Sequence, residues 1–68
     1  MGHVAELIKE ARQRKKLTQL QLGLLLGYKG RTAELMIQHW ETGRREVPIT
    51  KLRIVSEVLE IPIEELIP

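Results

Sequence analysis

Apolar residues recur at three- and four-residue spacings along most of this chain, in short runs separated by Gly and Pro. Val4, Leu7, Ile8 and Ala11 share one face of a helix over residues 4–16. Glu6 and Glu10 lie early in it and Lys15 and Lys16 late, the order that complements a helix dipole. A second helix is predicted over 18–26: Thr18 can cap it while Gln21 reaches back, Leu22, Gly23 and Leu26 form one side, and Gly27 stops it. After the turn Tyr28-Lys29-Gly30, a third helix over 31–42 carries the stripe Ala33, Met36, Ile37 and Trp40 and ends at Gly43. Pro48 suits the start of a fourth, with Leu52, Val55, Ser56 and Leu59 inward. Pro62 opens a last short turn through Leu66. No segment alternates with the two-residue period of a half-buried strand. The expectation is an all-α, compact five-helix domain taking in residues 1–68 as one unit.

Composition sharpens this picture. A chain of 68 residues sits near the lower limit for folding on a hydrophobic core alone. With no Cys there is neither a disulfide nor a Cys-based zinc site to help, so stability must come from Leu, Ile and Val packing, with dimerisation as the remaining aid. Trp40 and Tyr28 are the only aromatic residues. No apolar run reaches the ~18 residues of a membrane span, and the charged N-terminus is unlike a signal peptide, so a cytoplasmic location is expected. Residues 1–53 hold all 11 Lys and Arg against five Glu, a balance of +6, whereas 54–68 hold four Glu and no cation, a balance of −4. A basic body with an acidic tail points to a polyanion partner for the first part only. An enzyme is not expected. The chain lacks Cys and Asp, and its two His, His3 and His39, are far apart in sequence, so no nucleophile, base or metal constellation forms. No cofactor, no metal and no small-molecule substrate are anticipated.

Thr18-Gln19, Leu22-Gly23, Leu26-Gly27 and, later, Ile37, Glu41 and Gly43 follow one another in the order and spacing of a known family. The chain resembles the phage repressor/Cro-type (XRE-like) helix-turn-helix domain over about residues 7–66. The resemblance implies a lambda-repressor-like fold and a sequence-specific, double-stranded-DNA-binding transcriptional regulator, a repressor, of bacterial or phage origin and associated with the nucleoid. Gly23 stands where the family more often has Ala, at the close crossing of the second and third helices. Between Gly27 and Ile37 the chain is about four residues longer than is usual, close to one helical turn, so first-turn contacts cannot be carried over by alignment.

The third helix is then the recognition helix for the major groove. Opposite its apolar stripe lie Arg31, Leu35, Gln38, His39 and Thr42. Gln38 can bond adenine bidentately, His39 can donate to guanine, and Leu35 can meet a thymine methyl. Phosphate contacts are expected from Gln19, which the resemblance places on the sugar-phosphate backbone, and from Lys29, Arg44 and Arg45 around the helix ends. The resemblance also pairs Glu41 with Arg12, a structural ion pair tying the reading helix to the first helix.

A homodimer is expected through a ridge of Ile54 and Val58, extended by Ile61 and Ile67, in the region without cations after Arg53. A rival reading keeps the same fold as a protein-interaction or antitoxin-like module. Its support is apolar surplus, with Leu24 and Leu25 at positions usually polar in the family.

Overall fold

The structure, a computed structural model, describes residues 3–67. They form α1 (His3–Arg14), α2 (Gln19–Leu25), α3 (Gly30–Glu41) and α4 (Ile49–Leu59), followed by a 3-10 turn (Ile63–Glu65). The five-helix expectation is therefore corrected to four α-helices and one turn. The bonds that form, Glu65 N–H to Pro62 O at 2.9 Å and Leu66 N–H to Ile63 O at 2.9 Å, are three-residue closures.

Local chemistry sets the helix ends. Thr18 accepts from the Gln21 amide at 3.0 Å, and the Gln21 side chain accepts from the Thr18 amide at 2.8 Å, the reciprocal box read from the sequence. Thr18 is thus the cap of α2, not its first turn. Each α-helix closes with a long backbone bond over a left-handed residue. Leu17 N–H reaches Arg12 O at 3.1 Å, Tyr28 reaches Gly23 at 3.1 Å, Arg44 reaches His39 at 2.8 Å and Ile61 reaches Ser56 at 3.1 Å. Gly27 (φ 95°) and Gly43 (φ 76°) suit that conformation, whereas Lys16 (φ 59°) and Glu60 (φ 57°) adopt it with a side chain. Lys16 therefore lies outside α1, which ends two residues earlier than its sequence pattern extends.

Ile8, Leu22, Leu26, Ile37, Trp40, Val55 and Leu59 meet in one core. The tightest pairing is α2 on α3. A Cβ placed at Gly23 would lie 2.5 Å from the Ala33 carbonyl carbon and 2.7 Å from its Cα, so the two backbones approach closer than any side chain at position 23 allows. Leu52 and Ser56 of the anticipated α4 face are only half-buried. Ser56 donates to the Ile61 carbonyl at 2.6 Å, which helps fold the tail back.

That fold-back removes Ile61 from the expected dimer ridge. It is 5% exposed, and together with Leu66 it closes the bottom of the core. Ile54 and Val58 are half-buried against the same core, so of the four residues only Ile67, 55% exposed, stands free. Within the monomer, Ile61 and Leu66 of this tail join the core beside Val55 and Leu59 of α4. No helix among the described residues is long and apolar enough to cross a membrane.

Candidate nucleic-acid interface

The inward side of α3 is bound to its scaffold by a polar joint. Arg12 Nε donates to Glu41 Oε2 at 2.6 Å and its Nη2 to Oε1 at 3.1 Å, a two-pronged ion pair. The remaining Nη1 donates to the Leu17 carbonyl at 2.8 Å. The joint is dry: 11% of the Arg12 side chain and 4% of that of Glu41 are exposed. Gln19 completes it, its Nε2 donating to Glu41 Oε1 at 3.1 Å. The phosphate role expected for Gln19 would have to use its second amide proton. Half-buried at the start of α2, it has an amide already engaged by a carboxylate that no helix-wheel reading of α2 alone would reveal.

With its inward side fixed, α3 presents Arg31, Leu35 and Gln38 to solvent. Glu34 is exposed on the same side, about 40° around the helix from Gln38. Sequence reasoning passed over Glu34, although its i, i+4 spacing from Gln38 was the available signal. His39 is half-buried and its Nδ1 is enclosed without a hydrogen-bond partner, so at most its other edge faces outward. Thr42 caps α3 and turns its hydroxyl onto the Gln38 carbonyl at 2.9 Å, which commits its proton to the helix end. Each still lies about 40° around the helix from a residue of that face, His39 from Leu35 and Thr42 from Gln38, with only part of its polar groups left free.

Basic residues frame this face. Lys29 is the exposed cap residue of α3, and Arg44 and Arg45 are exposed in the loop after it. The acids of the tail lie on α4 (Glu57), at its C-terminal cap (Glu60) and in the terminal turn (Glu64 and Glu65). Lys15 pairs with Glu60 at that end, and the ammonium holds the Glu60 carboxyl below the usual range.

The family model for the helix-turn-helix matches residues 8–66, from the second turn of α1 to Leu66. The chain belongs to the lambda-repressor-like helix-turn-helix family. This is a DNA-binding regulatory family and not a catalytic one. No curated protein and no solved structure matches the chain. In the helix-turn-helix frame, α2 and α3 are the paired helices, and the extended turn lies between them. Part of its extra length is absorbed by α3, which begins at Gly30.

A second cluster escaped the sequence reading altogether. Lys51 on α4 donates to the Leu26 carbonyl at 2.7 Å and lies 4.8 Å from the centre of the Tyr28 ring. Tyr28 in turn meets Trp40 edge-on, with ring centres 6.0 Å apart and planes at 67°. Burial pushes the Tyr28 phenol above its ordinary pKa. Among the described residues no group of three or more His, Asp or Glu could hold a metal ion.

Proposed function

We propose that this chain is a sequence-specific transcriptional regulator that lays α3 in the major groove of double-stranded DNA and represses by occupying its site. The observation that carries the reading is the contrast between the two sides of α3. One is fixed by the dry Arg12–Glu41–Gln19 joint, and the other offers Arg31, Glu34, Leu35 and Gln38 to solvent between the cations Lys29 and Arg44–Arg45. A fixed helix with free polar ends is what base reading requires, because discrimination depends on holding donors and acceptors in register with base edges. Gln38 takes adenine, Glu34 accepts from a cytosine amino group, and Leu35 meets a thymine methyl. Lys29, Arg44 and Arg45 supply the sequence-independent phosphate attraction.

Two copies bind a two-fold site in this reading. Of the exposed apolar residues, Ile49, 85% exposed, and Ile67 are the pair this reading assigns to the contact, and they line one open groove beside Val47 and Leu52. Sedimentation of Ile49→Glu against the parent chain tests this. The variant is expected to be monomeric, and an unchanged assembly state would remove Ile49 from the interface.

Binding to duplexes selected from random-sequence DNA, titrated with salt, tests the main reading. Gln38→Ala should lose preference at one base position, costing about 1–3 kcal/mol there, while Arg45→Ala should weaken all duplexes alike and flatten the salt slope by about one unit. Equal, sequence-blind losses in both variants would end this division of roles.

A second reading, a protein-binding module, is favoured by one observation. Leu20, Leu24 and Leu25 on α2 are 42%, 51% and 53% exposed, an apolar surplus that phosphate contacts do not use. Absence of DNA binding even at low salt would select it.

A further inference from the structure

The turn between the two paired helices joins α2 to the reading helix. It contains two glycines in the left-handed region, Gly27 (φ 95°) and Gly30 (φ 58°), and Lys29, the cap residue of α3, makes no side-chain capping bond. The backbone of α4 packs chiefly on α1 and the terminal turn, whereas α2 packs on α3 and α3 also on α1. Beyond the shared core of Leu22, Leu26, Ile37, Trp40, Val55 and Leu59, few main-chain contacts join the paired helices to α4.

Lys51 bridges that gap. Its ammonium binds the Leu26 carbonyl, at the end of α2, at 2.7 Å and sits against the face of Tyr28, inside the turn, at 4.8 Å. Tyr28 passes the contact to Trp40, a core residue of α3 directly before Glu41. One side chain from α4 thus touches the end of α2 and the turn, and through Tyr28 reaches the reading helix. A lysine serving phosphate would keep its ammonium in water; this one is partly buried and directed inward.

We propose that Lys51 is a positioning residue for DNA reading: it clamps turn 27–30 and so sets the angle at which α3 is presented relative to α4. This rests on the DNA-binding reading above. Without the clamp the two glycines let the turn adopt alternative geometries, and Gln38 meets base edges out of register. Discrimination between sequences should fall more than overall affinity, because phosphate attraction tolerates small rotations and bidentate base contacts do not.

The test compares Lys51→Met and Lys51→Arg with the parent chain. Methionine keeps the packed stem and removes the donor and charge; arginine retains both. The probes are the duplex that the parent chain selects from random-sequence DNA and the same duplex with one base pair changed. Lys51→Met is expected to lose about tenfold in discrimination with an unchanged salt slope, to exchange the Gly27 and Tyr28 amide protons faster, and to be rescued by Lys51→Arg. Full discrimination in Lys51→Met overturns the proposal. So does a salt slope shallower by about one unit, which would place Lys51 on a phosphate. If Lys51→Met does not fold, Lys51→Arg decides, since loss of discrimination in a variant that keeps charge and donor also overturns the clamp. A parent chain that binds no DNA ends the DNA reading alone; the clamp is then judged by amide exchange, and unchanged protection at Gly27 and Tyr28 would refute it.

Discussion

Replacing Arg12 by Ala should cost more than any surface substitution in this chain. The mutation leaves Glu41, whose side chain is 4% exposed, facing the core with one remaining partner, the Gln19 amide at 3.1 Å. Two charge-assisted bonds, at 2.6 and 3.1 Å, disappear, and the Leu17 carbonyl loses its donor as well. Breaking a buried pair from one side typically costs about 3–5 kcal/mol, because the surviving charge has lost its compensation. A chain of this length has roughly 3–10 kcal/mol in total at about 0.05–0.15 kcal/mol per residue. The substitution therefore removes roughly 30% or more of the stability. At roughly 4–8 °C per kcal/mol for a small domain, the melting temperature should fall by about 12 °C or more. Urea denaturation followed by circular dichroism measures the loss, with an unchanged m value as the sign that the two end states are the same. The double variant Arg12→Met/Glu41→Leu separates pairing from burial. It replaces both charges with apolar groups and should recover most of the loss, since a buried ion pair is worth little more than a well-packed apolar one. Arg12→Ala within about 0.5 kcal/mol of the parent, or a double variant no more stable than the single one, would refute this account.

Three further outcomes follow from the same geometry. Gly23→Ala gains up to about 1 kcal/mol of helix propensity but pushes a methyl into the Ala33 backbone, so calorimetry should show a net loss of about 1–2 kcal/mol; a stabilised variant would mean that α2 and α3 can separate freely. Lys16→Gly relieves a side chain held at φ 59° and should raise stability by about 0.5–1 kcal/mol, and a loss would show that the Lys16 side chain makes a needed contact. For Tyr28 the folded phenol holds its proton more tightly than the unfolded one, so its contribution is intact below the ordinary tyrosine value of about 10 and is lost as pH rises through the raised folded value. Phenolate absorbance in native and urea-unfolded chain checks the direction, and Tyr28→Phe should flatten the alkaline fall in stability.

The elements were legible in the sequence because their signals are local. Thr18 and Gln21 face each other within one turn of helix, Gly27 and Gly43 stand where only a left-handed residue continues the chain, and Ile8, Ala11, Ile37, Trp40, Val55 and Leu59 repeat at helical spacing. The helix-turn-helix order came from the resemblance of these residues, in order and spacing, to a known family, which also placed a small residue at the α2–α3 crossing. The tertiary structure decided what depends on contacts between residues distant along the chain. Glu41 engages the Gln19 amide from 22 positions away, a bond that no local pattern reveals. Lys51 reaches a carbonyl 25 positions earlier, and no periodicity within α4 marks it as different from Arg53. Ile61 reads as surface on a wheel of α4 extended past its end. Glu60 turns left-handed there, the chain reverses, and Ile61 enters the core. Helical spacing reports which side chains share a face; what that face meets depends on how the other helices close around it.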